Sequence, residues 1–291
     1  MTRALILGGG GPVGVGWECG LADGLAREGV VLSGSDLIAG TSAGSIVGAR
    51  LALKMDLSQT IGSVSQPIPA EPGAGGGMDQ LLAVLADAAA RSLSPQETCV
   101  ELGRLALAAP TPDEDTYVEA DVFAEVRDCE WPESFRCTAV GTRTGAFQVW
   151  DQSAGVSLSR AVASSCAVPG VFPPVTIGAE RYMDGGMRSP LNADLAAGHA
   201  AVIVVSCMAL ALPEGFSDPM FGAISRQLEA EFTLVRDSGA ALEIVGPGQE
   251  FLDISGWGAN LMNPALTADA YQAGVRQAAV EADRLRAVWN N

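Results

Sequence analysis

The chain has 291 residues, enough for one large α/β domain, and 48% of them are hydrophobic against 18% charged, so it can bury a sizeable core. Its net charge of −17 repels phosphate backbones, which excludes a nucleic-acid binder. No polybasic patch offers long residence on an anionic membrane, although neutral or dispersed lipid stays compatible with this charge.

No stretch approaches the ~18–20 apolar residues of a spanning helix. The apolar run at 4–7 is too short for a signal peptide and leads straight into glycines. The cysteines, Cys19, Cys99, Cys129, Cys137, Cys166 and Cys207, include no CxxC pair and no neighbouring histidine. Reduced thiols and a cytoplasmic location are the expectation.

In chain order, residues 4–7 read as a buried parallel strand and residues 13–27 as a helix. A second strand at 36–39 and a second helix from 43 to about 54 repeat the pattern. Strand, glycine turn and helix twice over predict βαβ units and a mostly parallel sheet in a three-layer α/β/α arrangement. The Pro- and Gly-rich stretch at 65–77 reads as a loop. Helices are expected at 79–92 and 95–108, then an acidic, solvated segment at 110–120. Strands follow at 135–140 and 146–151, a Ser-capped helix at 157–164, and strands at 175–177, 181–183 and 200–206. A helix at 219–237, a strand at 241–245 and a helix at 265–289 end the chain. No repeat or composition break divides it, so residues 1–291 read as a single domain, with 65–120 a candidate helical cap or lid.

Gly40-Thr41-Ser42-Ala43-Gly44 fits G-x-S-x-G between a predicted strand and a predicted helix. The spacing puts Ser42 on a sharp turn, and flanking Gly40 and Gly44 let the chain turn without a clash. A plain Gly/Ser turn is the bland alternative. Ser-His-Asp chemistry would need His199, the sole histidine, which lies at the wrong end of the predicted strand 200–206. Asp184, followed by Gly185 and Gly186, is the candidate base in its place, since a desolvated carboxylate within hydrogen-bond reach can take a serine proton.

Gly8 to Gly14 follow the first strand. Gly9, Gly11 and Gly14 match the dinucleotide G-x-G-x-x-G, which would make this a nucleotide-binding protein. The acidic residue that fingerprint wants after the second strand is missing. The same loop can instead form an oxyanion hole from backbone N–H groups at a helix N-terminus.

Four blocks now stand in order: Gly8 to Gly14, Gly40 to Gly44, Ala163-Ser164-Ser165-Cys166-Ala167-Val168-Pro169 leading into Phe172-Pro173-Pro174, and Asp184-Gly185-Gly186. Together they resemble the patatin-like phospholipase family and cover residues 5–190. The resemblance implies a patatin-like fold and lipid acyl-hydrolase activity on acyl-ester substrates, with no metal and no cofactor. It implies Ser42 as nucleophile, Asp184 as general base, and the N–H groups around Gly9, Gly10 and Gly11 as oxyanion donors. It also implies a structural role for 163–174. Helices within 78–108 are candidates either to cover an acyl cleft or simply to pack on the core. Acyl transfer on the same scaffold stays open. One departure is Val13, where the family usually carries Arg or Lys; a phosphate head group loses a partner there, and neutral esters gain.

Overall fold

The computed structural model describes residues 1–66, 68, 76–212 and 218–290. β1 (Arg3–Leu7) and β2 (Leu37–Gly40) flank α1 (Gly11–Arg27) as a βαβ unit. α2 (Ala43–Ala52) leads to α3 (Leu57–Val64), α4 (Gly77–Ala90), α5 (Pro95–Ala108), α6 (Glu114–Val118) and α7 (Asp121–Ala124). Then come β3 (Phe135–Gly141), β4 (Phe147–Trp150), α8 (Leu158–Ser165), β5 (Val175–Ile177), β6 (Glu180–Asp184) and β7 (Ala201–Val205). α9 (Pro219–Asp237), β8 (Ala241–Val245), α10 (Gln249–Ser255) and α11 (Thr267–Trp289) complete the chain.

The strands form one sheet of order β5-β6-β3-β2-β1-β7-β8, with β4 also paired to β3. β3, β2, β1, β7 and β8 run parallel. β4 and β6 run antiparallel to β3, and β5 antiparallel to β6. Alternation along β1 shows why two helical layers are needed. Leu5 and Leu7 pack into the cluster under α1, α2 and α11, while Ala4 and Ile6 pack with Leu228, Phe232 and Val235 of α9 on the other face. α1 is buried nearly all round because it lies between the sheet and α11.

Two expectations change. The acidic segment 110–120 is solvated only in part. Asp113 caps α6 by accepting N–H bonds from Asp115 and Thr116. Glu114 reaches Arg160 at 2.6 Å, and buried Tyr117 donates its hydroxyl to Ala163 O at 3.0 Å. The acidic residues therefore face out or pair while the aromatic faces in, which composition alone hides. The second change concerns α4 and α5. They form their own cluster on Val140 and Met183 of β3 and β6, with Leu81, Cys99, Leu102 and Ala106. They pack on the core; only Gly77 of α4 reaches the cavity described below. Most of the expected loop at 65–77, residues 67 and 69–75, lies outside the described residues.

Candidate active site

The register of β3 brings the two candidate catalytic residues together. β4 occupies one edge of β3 from Cys137 to Val140. The other edge pairs first with β2, Gly40 opposite Cys137, and then with β6, Asp184 opposite Ala139. β2 runs parallel and β6 antiparallel to β3, so their carboxyl ends point at each other. Ser42 and Asp184 follow from those two ends, although 142 positions apart in number.

Ser42 sits at φ 52°, ψ −118°, a left-handed value for a residue with a side chain. Such backbone costs on the order of 1–3 kcal/mol and persists only where its surroundings hold it. They do so by three side chains. The Ser42 N–H donates to Ser165 Oγ at 3.0 Å, and the Ser42 carbonyl accepts from Ser45 Oγ at 2.7 Å and Cys166 Sγ at 3.2 Å. A Cβ on Gly44 would run into the Leu7 carbonyl, so only glycine lets the elbow lie against β1. Ser42 stands at the N-cap of α2 but makes no side-chain capping bond, which leaves its hydroxyl free for another partner.

Asp184 stands near enough for the Ser42 hydroxyl to act on its carboxyl. Its side chain is almost fully buried, at 2% exposure. Burial pushes the carboxyl up to about 7, while hydrogen bonds from Ser42 and from the Gly186 N–H, the latter at 2.7 Å, pull it part of the way back. The Asp184 N–H donates to Ala167 O at 3.0 Å. Residues 163–169 thus touch both halves of the pair: Ser165 and Cys166 hold Ser42, and Ala167 holds Asp184.

The glycine loop lies beside the elbow; a Cβ on Gly9 would stand 3.5 Å from the Ser42 Cβ. Its N–H groups divide sharply. Gly9 donates to Pro190 O at 2.9 Å and Gly8 to Val205 O at 3.1 Å. Pro12 has no N–H, Val13 donates to Leu261 O, and Gly14 to Gly10 O. Among the described residues, the N–H groups of Gly10 and Gly11 find no acceptor, nor does that of Ala43. The Gly9 N–H, expected as an oxyanion donor, is engaged by Pro190 O in this structure. The N-termini of α1 and α2 both open here, so the local dipoles favour negative charge.

A cavity of about 390 Å³ opens at Ser42, within the range of small-molecule sites. Its walls are mostly apolar, among them Val15, Ile46, Tyr117, Phe123, Val168 and Phe172.

Three further residues complete the setting. His199 precedes β7, whose first residue pairs with Arg3; it lies at the amino ends of the strands, opposite the site, with Nδ1 3.0 Å from Ala196 O. The end of β2, where a dinucleotide site wants an acid, carries the Ser42 elbow instead. Glu18 of α1 is fully buried with one oxygen unpartnered, and burial raises its carboxyl well above the usual range. Sequence reading missed Asn192, a buried residue at φ 51°. Its amide donates to Thr41 Oγ1 at 3.0 Å, Ser189 O at 2.9 Å and Gly185 O at 3.4 Å, tying the residue before Ser42 to the residue after Asp184. All six cysteines are unpaired thiols. Among the described residues no cluster of three His, Cys, Asp or Glu side chains forms, and no helix is long and apolar enough to cross a membrane.

Fold and site define a class: a three-layer α/β/α protein with a buried serine on a strand–helix elbow, a carboxyl beside it and an apolar cavity in front. The patatin-like phospholipase family matches residues 5–197, and the chain belongs to that family. Lipid acyl hydrolysis is the activity this membership supports in general terms. No curated protein matches the sequence. Among solved structures, it is similar to VipD from Legionella pneumophila at 13% identity and a TM-score of 0.44, over 97% of this chain and 67% of that one.

Proposed function

We propose that the protein hydrolyses acyl esters of lipids through an acyl-enzyme, with Ser42 as nucleophile and Asp184 as the single general base. The observation that carries this reading is the buried Asp184 carboxyl, raised to about 7 and bonded by a serine hydroxyl that caps nothing. A base poised near neutrality can take the serine proton and return it.

Asp184 accepts the Ser42 proton as Oγ attacks the ester carbonyl. The oxyanion is met by the N–H groups of Gly10 and Gly11, with Ala43 as a third donor. Collapse breaks the carbonyl–alkoxy bond, and the proton on Asp184 passes to the leaving alcohol. Water then attacks the acyl-enzyme, giving its proton to Asp184. The acid leaves and Ser42 regains its proton. The acyl chain lies in the apolar cavity.

The test is fatty-acid release from p-nitrophenyl acyl esters by wild type and by Ser42→Ala, with melting curves to show both folded. A loss on the order of 10³-fold or more is expected. A folded Ser42→Ala variant that keeps wild-type turnover would sink the reading.

A further inference from the structure

We propose that the ester accepted here carries an uncharged alcohol portion, of the acylglycerol or simple alkyl type, and that phosphate-bearing lipids are discriminated against. This rests on the acyl-hydrolase reading above and narrows its substrate class.

Among the described residues, no charged side chain lines the cavity at Ser42. Its polar lining side chains are neutral: Ser42, Ser63, Gln66, Tyr117 and Cys166. Tyr117 is already committed to Ala163 O and Ser63 to Thr60 O, which leaves Gln66 facing whatever lies beyond the ester. Gln66 is exposed, and its side-chain amide makes no hydrogen bond among the described residues. Such groups suit hydroxyls. They do not neutralise a phosphate.

The 17 Lys and Arg residues stand elsewhere. Val13, at the family's usual basic position, is fully buried in α1. Arg50 lies on α2, close in sequence to the elbow. Its guanidinium is buried and held by Glu125, Ile46 O and Val122 O. Arg160, Arg181 and Arg188 pair with Glu114 or Asp194. Arg27 and Lys54 form no ion pair among the described residues but lie at the far ends of α1 and α2, helices whose near ends form the site. Arg226 is on α9, against the opposite face of the sheet. The residues outside the description, 67, 69–75, 213–217 and 291, include no Lys, Arg or His. No cation is therefore hidden in them.

A phosphate drawn to this mouth would lose hydration without a counter-charge, beside a carboxylate and in the field of a chain of net charge −17. Juxtaposed like charges disfavour the phosphate ester, and discrimination of roughly 100-fold, about 2.8 kcal/mol, follows.

The experiment compares kcat/KM for 1-oleoylglycerol and 1-oleoyl-lysophosphatidic acid, both below their aggregation concentrations. The acyl chain and glycerol are shared; only the phosphate differs. Wild type is expected to favour the neutral ester by roughly 100-fold. Gln66→Arg, which adds a cation at the rim, is expected to narrow that gap about tenfold, with a melting curve confirming the fold. Equal or faster turnover of the phosphate ester, or a gap that Gln66→Arg leaves unmoved, would overturn the proposal while leaving the hydrolase reading intact. No turnover of either ester, together with no covalent labelling of Ser42 by an uncharged alkyl fluorophosphonate, would remove the hydrolase reading and this proposal with it.

Discussion

Burial raises the Asp184 carboxyl to about 7, and this sets the pH behaviour of both activity and stability. A general base must be ionised, so kcat/KM is expected to rise through about pH 7 and level off above it. Below that point it falls about tenfold per unit, in a series of initial rates on one soluble ester. A profile flat from pH 5 to 9 would contradict the assignment. Stability has the opposite sign. The folded value lies above the ordinary 3.8, so from about pH 4 upwards the unfolded chain sheds this proton before the folded one. The stability tied to Asp184 is complete below about 4 and is lost as pH rises through about 7. Asp184→Asn keeps an acceptor for the Gly186 N–H and removes the ionisation. It is expected to melt above wild type at pH 8, by an amount worth at most about 4 kcal/mol, with the difference gone near pH 4. Paired thermal melts at the two pH values decide this.

At the scale of elements, the site is a meeting of strand ends, and the polar groups behind it keep those ends aligned. Ser165 reaches Ser42 across 123 positions and Asn192 reaches Thr41 across 151. Removing Ser165 Oγ leaves a buried N–H without an acceptor, which costs about 1–3 kcal/mol. The elbow then relaxes from its strained backbone. Ser165→Ala is expected to lower kcat more than it raises KM, with steady-state kinetics on one ester as the measurement; a change confined to KM would contradict a clamp on the nucleophile. These long-range bonds explain which parts of the site were legible. The elbow, the Asp-Gly-Gly turn and the glycine loop are short motifs whose chemistry is local. Ser165 and Asn192 act through partners that no spacing predicts. The tie between Gly9 and Pro190 was hidden for the same reason. Elements divide likewise. α5 begins at a Ser94 capping box with Pro95, and α9 at Asp218 followed by Pro219, so both were readable to the residue. The short helices α3, α6, α7 and α10 are stabilised mainly by tertiary packing and escaped notice.

The whole molecule carries −17, and the lipid-facing consequence is a surface that avoids anionic bilayers. Co-sedimentation with phosphatidylglycerol vesicles is expected to fall below that with phosphatidylcholine vesicles, with the difference shrinking as salt shortens the Debye length from about 10 Å at 0.1 M to about 3 Å at 1 M. Preferential binding to the anionic vesicles would contradict this. The parallel half of the sheet was legible at this scale because β1 and β7, covered on both faces, read as unbroken apolar runs. The meeting of β2 and β6 on one edge of β3 was not, since it depends on register rather than composition. That meeting is the central claim, and the most direct test of it is chemical. Wild type and Asp184→Asn are treated with an alkyl fluorophosphonate, and the adduct is located by intact mass and peptide mapping. One adduct on Ser42, formed about 100-fold or more slowly in Asp184→Asn, is the expected result. An adduct on another residue, none on folded wild type, or equal rates in the two proteins would contradict the pairing of Ser42 with Asp184.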